Sequence, residues 1–109
     1  MIRKLNWQAF TNNDRNKVID ELKDTISDYD GFILNFNMFS DLTMSLSIEI
    51  EENKIVKLYQ ALSQILNVSD FETNSIRIES RKNWVIFMNI SFSIGKGDLS
   101  VENRLFPGS

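Results

Sequence analysis

The side chains able to do chemistry in this sequence are carboxylates, amides and hydroxyls. There is no histidine and no cysteine. That removes the commonest general base, the commonest transition-metal ligand, and any thiolate nucleophile or disulfide. The densest carboxylate group is Glu49, Glu51 and Glu52. Residues i and i+2 of a strand share a face roughly 7 Å apart, a spacing that suits a hard cation or an acid–base pair. No further oxygen ligands follow at a recognisable spacing. The cluster therefore reads as a solvated strand end running into a helix N-terminus, where acids are favoured. Gly95-Lys96-Gly97-Asp98 lacks the glycine spacing and the following helix of a phosphate-binding loop. Arg77, Arg81 and Lys82 beside Trp84 form a small basic-aromatic corner of the kind that stacks bases. On a chain with 15 acids, 12 bases and a net charge of −3, it reads instead as a turn with solvated bases. Tyr29 and Tyr59 fall on apolar helical stripes. No cofactor, metal or enzymatic activity is expected.

A different set of polar residues stands out once strands are drawn. Leu42 to Glu51 alternates without a break: Leu42, Met44, Leu46, Ile48 and Ile50 against Thr43, Ser45, Ser47, Glu49 and Glu51. A period of two over ten residues is a half-buried strand. Trp84 to Ile94 alternates likewise, with Trp84, Ile86, Met88, Ile90, Phe92 and Ile94 on one side and Val85, Phe87, Asn89, Ser91 and Ser93 on the other. In Phe32–Phe39 the even positions are apolar and Asn35 and Asn37 lie among the odd ones. Together these strands predict a neutral polar band, with Asn35, Asn37, Ser45, Ser47, Asn89, Ser91 and Ser93 bordered by Ile33, Phe39, Val85 and Phe87. Short neutral side chains permit close approach while offering donors and acceptors, and the apolar neighbours supply burial. The candidate interaction face is accordingly Asn35, Asn37, Phe39, Ser45, Ser47, Phe87, Asn89, Ser91 and Ser93.

Helices must cover the other side of these strands. Val18, Ile19, Leu22, Ile26 and Tyr29 recur at helical spacing between about Asp14 and Asp28, with Asn12, Asn13 and Asp14 as cap candidates and Gly31 past the end. A second stripe, Ile55, Leu58, Tyr59, Leu62, Ile65 and Leu66, predicts a helix over about Lys54–Leu66, capped by Asn53. Ser75–Ser80 reads as a short strand with Ile76 and Ile78 on one side. Trp7 and Phe10 read as core or edge plugs, and residues 2–7 can add a further strand.

The order predicts an α+β domain built as a two-layer sandwich. Two helices lie on one face of an antiparallel-rich sheet of four strands, or five with residues 2–7. Strands 42–51 and 84–94 take the centre, and 32–39 and 75–80 the edges. The 109 residues, 42% apolar and 25% charged, are expected to form a single domain. It divides into tandem helix–strand–strand units over 1–52 and 53–97 and an arm over 98–109. Met44-Ser45-Leu46-Ser47-Ile48 beside Met88-Asn89-Ile90-Ser91-Phe92 is the basis for suspecting a repeat. In element order alone the arrangement resembles a circularly permuted ferredoxin-like fold, a likeness that carries no function.

The mildly acidic charge argues against duplex nucleic acid and anionic membranes as partners. The N-terminus has bases but no apolar run behind them, so a cytoplasmic protein is expected. Asn67-Val68-Ser69 then matches a glycosylation sequon by chance. The leading expectation is a non-catalytic interaction module acting as a homodimer through the polar sheet face. The alternatives are a small-ligand sensor or carrier and a stoichiometric inhibitor or immunity-type partner using its acidic residues against a protein target.

Overall fold

A computed structural model describes residues 3–93. Its elements are strand β1 (Arg3–Thr11), helix α1 (Arg15–Asp28), strands β2 (Phe32–Met38) and β3 (Thr43–Glu51), a 3₁₀ turn (Glu52–Lys54), helix α2 (Ile55–Leu62), the two-residue strand β4 (Asn67–Val68), a second 3₁₀ turn (Thr73–Ser75), and strand β5 (Asn83–Phe92). The five strands form one sheet in the order β2-β3-β5-β1-β4. β1 runs parallel to β5, and the other three pairings are antiparallel. The result is an α+β two-layer sandwich with a mixed, antiparallel-rich sheet.

The strand directions explain why both helices share one face. β1 and β2 point the same way, so β1–α1–β2 is a crossover passing over β5 and β3. β3 and β4 point the other way, so β3–α2–β4 is a second crossover passing over β5 and β1 in the opposite sense. Both connections are of the type that is almost always right-handed. Reversing both strand direction and travel then returns the helix to the same side. Val18, Leu22 and Ile26 of α1 and Ile55, Leu58 and Leu62 of α2 are buried there. They meet the even-numbered side chains of β3 and β5 and the odd-numbered ones of β1. Trp7 is fully buried in this layer, with Tyr59 and Phe71 edge-on or tilted against it at ring distances of 5.3 Å each.

α1 starts where Asp14 accepts a hydrogen bond from the Lys17 backbone N–H at 3.1 Å. It ends in paired bonds from Asp30 N–H to the Ser27 carbonyl and from Gly31 N–H to the Ile26 carbonyl, both 2.9 Å. The left-handed residue of this cap is Asp30, with φ of 60°, and not the glycine. Gly31 is needed for space, because a Cβ there would lie 2.9 Å from Ile26 Cγ2 and 3.2 Å from the Ile26 carbonyl oxygen. α2 is shorter than its apolar stripe. The Ser63 hydroxyl bonds back to the Tyr59 carbonyl at 2.8 Å, and the chain then tightens into turns that still deliver Leu66 to the core. Asn53 does not cap this helix by a side-chain bond, and its Oδ1 is buried without a partner among the described residues.

Residues 75–80 form no strand, contrary to the sequence pattern. Their backbone is held elsewhere. Arg77 N–H donates to the Glu52 carboxylate at 2.8 Å, and the Ser80 and Lys82 carbonyls accept from Asn53 and Glu52 N–H, both at 2.8 Å. Ile76 is buried and Ile78 is exposed, so the two share no face. The first strand of the second unit is instead β4, on the outer edge of β1. The two helix–strand–strand segments are therefore not equivalent: β2 pairs with β3, whereas β1 separates β4 from β5. The expected arm at 98–109 and the glycine turn at 95–97 lie outside the described residues.

Candidate functional site

The sheet face away from the helices is set out by register. Asn35 on β2 stands opposite Ser47 on β3, Ser47 opposite Phe87 on β5, and Phe87 opposite Asn6 on β1. The next row reads Asn37, Ser45, Asn89 and Gln8. Beyond it come Thr43, Ser91 and Phe10, and on the other side Phe32, Glu49, Val85 and Lys4. The two middle rows form a shallow hollow of about 320 Å³ lined by Asn6, Asn35, Asn37, Ser45, Ser47, Phe87 and Asn89, with strand backbone as its floor.

Six of the expected interaction residues, Asn35, Asn37, Ser45, Ser47, Phe87 and Asn89, thus meet in one place. Ser91 is one row away. Ser93 follows β5 and is tied to β1 through its N–H and the Thr11 carbonyl at 2.9 Å. Phe39 is not on the band. It lies in the turn after β2 and lines a separate hollow with Arg15, Ile19 and Met38. Ile33 also leaves the band. A register irregularity between Ile33 and Asn35 inserts Leu34 as an extra residue, so Ile33 opposes Ile48 on the helix side while Asn35 and Asn37 keep the open side.

β1 supplies the residues that sequence reasoning missed: Asn6, Gln8, Lys4 and Phe10. The signal is present, since Leu5, Trp7, Ala9 and Thr11 alternate with Asn6, Gln8 and Phe10, and the strand runs to Thr11, past the 2–7 that the sequence pattern predicts. Trp7 is a core residue, whereas Phe10 is 54% exposed on the open face.

The hollow is chemically neutral. Its amides and hydroxyls each donate and accept, and Asn37 Nδ2 already donates to Asn35 Oδ1 at 2.8 Å. Lys4 places its ammonium 5.9 Å from the Phe87 ring centroid at one side. The charged groups gather at the sheet's end, around a larger hollow of about 520 Å³ that includes Asp30, Phe32, Glu49, Glu51, Lys54 and Arg81. There the charges are mostly matched. Lys54 pairs with Asp30 and lowers the Asp30 pKa through its hydrogen bond and its charge. Arg81 pairs with Glu51 at 3.3 Å, and Asn83 Nδ2 donates to Glu49 at 3.1 Å.

Glu52 does not join Glu49 and Glu51. It turns inward and is 5% exposed. Burial alone would raise its pKa, but the Arg77 N–H, the Ser80 hydroxyl, the Trp84 indole N–H and the Arg3 charge together bring it below the ordinary value. A carboxylate held ionised by fixed donors is a structural tie rather than a proton donor. Among the described residues no group of three or more acidic side chains is placed to hold a metal ion. Trp84 is buried with its side chain on the helix side, so the basic corner has no exposed aromatic platform there.

No described helix is long and apolar enough to cross a membrane. Comparison with models of known protein families, with curated proteins and with solved structures finds no match in any of the three.

Proposed function

We propose that this chain is a non-catalytic interaction module that works as a homodimer, with the open polar sheet face as its contact surface, in the cytoplasm. The observation that carries this is the neutral amide–hydroxyl hollow at the centre of a sheet face that no described residue covers, bordered by exposed Phe10, Phe32 and Phe87. A partner bound by charge would call for an excess of one sign. This surface has none at its centre, and the amides there can both donate to and accept from the same groups on a second copy. A chain of net charge −3 meets its own copy with least repulsion where the surface is uncharged. The aromatic residues around the hollow supply the apolar burial that a stable contact requires.

The test is mass in solution at tens of micromolar. Ser47→Glu combined with Ser91→Glu places unpaired carboxylates in the contact and is expected to halve the copy number. A monomeric parent, or a copy number unchanged by the double substitution, overturns the reading.

A further inference from the structure

A separate feature concerns the rim of the sheet. Among the described residues β2 is an edge strand, hydrogen-bonded to β3 on one side only. From Phe32 to Phe39 the chain has eight consecutive residues without a charge or a proline. Natural edges are normally blunted by lysine, proline, shortness or a covering segment. The opposite edge follows that rule, since β4 has only two residues. β2 does not, apart from the irregularity at Leu34. Phe32 and Phe39 are each 69% exposed and Leu34 54%.

The helix layer also stops short of this edge. Phe36 and Met38 face the helix side, opposite Leu46 and Met44, yet both stay partly exposed while Leu46 and Met44 are buried. Lys23 of α1 reaches over with its ammonium 5.7 Å from the Phe36 ring centroid, which leaves an apolar overhang beneath a single cation.

We infer that β2 is a second self-association edge, pairing antiparallel with β2 of another copy to give a continuous ten-stranded sheet. Antiparallel pairing of identical strands is isologous, so each copy covers the other's overhang. Electrostatics favours a second copy as the occupant, because β2 itself carries no charge and two chains of net charge −3 can pair along it with only Lys23 of each copy near the seam. Size is also adequate. Counting about 200 Å² for an aromatic side chain and slightly less for Leu or Met, two copies bring roughly 1,000 Å² of exposed apolar surface before any backbone, against about 1,200 Å² for small specific interfaces. The seam's twofold axis is normal to the sheet, so it leaves the central hollow of the open face free, with Phe32 beside both contacts. With the open-face contact on a twofold axis that meets the seam axis, the two contacts close at four copies.

Native mass spectrometry of the full chain at tens of micromolar tests this. Four copies are expected for the parent, two for Leu34→Lys, two for Ser47→Glu with Ser91→Glu, and one for all three substitutions combined. Leu34→Lys changes an already exposed side chain, whereas Ser47 is only 8% exposed, and circular dichroism checks that every variant folds. Hydrogen exchange gives a second readout: β2 amides should exchange at least about tenfold faster in Leu34→Lys, while β3 and β5 amides are unchanged. If copy number and β2 exchange are unaffected by Leu34→Lys, the seam is overturned, and the open-face reading stands where the Glu pair halves the assembly. If only Leu34→Lys lowers the copy number, the seam stands and the open-face reading falls. A single-copy parent overturns both.

Discussion

The Glu52 carboxylate accepts a hydrogen bond from the backbone N–H of Arg77 at 2.8 Å. This one contact joins the end of β3 to a segment that the sequence pattern marks as a strand, and it replaces the sheet bonding that such a strand would have had. Glu52 and Asn53 backbone bonds to Lys82 and Ser80 complete the tie.

Acid stability follows from this tie. The folded-state pKa of Glu52 lies below its ordinary value of 4.5. Its contribution is therefore present in full above about that pH and fades as the pH falls toward the lower folded value. Glu52→Gln is expected to cost about 2 kcal/mol at neutral pH, the worth of hydrogen bonds to a buried charge. The substitution should also flatten the acid side of the stability profile. Urea unfolding at pH 7 and at pH 3.5 checks both, and a variant with the parent's full acid sensitivity contradicts the assignment.

Ile76 and Ile78 should respond oppositely. Ile76 is 8% exposed and Ile78 69%. Ile76→Ala is expected to destabilise the fold by about 2–4 kcal/mol and Ile78→Ala by less than about 0.5 kcal/mol. Equal losses in thermal melts would mean that the two share a buried strand face after all.

Trp7 has a buried indole N–H with no acceptor among the described residues. Trp7→Phe keeps most of the ring contacts with Tyr59 and Phe71 and removes that unpaired donor, so it should cost no more than about 1.5 kcal/mol. Trp7→Ala should cost about 3–5 kcal/mol. Paired chemical denaturation curves give the comparison.

Gly31 and Asp30 divide the work of ending α1. Gly31→Ala meets Ile26 Cγ2 at 2.9 Å and is expected to lose about 1–3 kcal/mol through overpacking. Asp30→Val puts a β-branched residue at a φ of 60°, removes the pairing with Lys54 and should lower the melting temperature. Asp30→Gly should melt well above Asp30→Val, because glycine relieves the backbone. Melting temperatures of the three variants measured side by side decide it.

Local periodicity was enough to determine much of this protein. Alternation from Thr43 to Glu51 and from Trp84 to Phe92, and the 3.6-residue stripe of Val18, Leu22 and Ile26, each encode which side of an element meets the core, whatever lies opposite. The central places of β3 and β5, and the grouping of Asn35, Asn37, Ser45, Ser47, Phe87 and Asn89, follow from those patterns. Tertiary structure alone decided the rest. β1 lies parallel to β5 and brings Asn6, Gln8 and Phe10 to the open face, because strand order depends on partners far away in the chain. Ile33 turns to the helix side because the extra residue at Leu34 shifts the register against β3. Residues 75–80 have a strand-like pattern but leave the sheet, because one buried carboxylate and two backbone groups satisfy their polar atoms more locally than a neighbouring strand would.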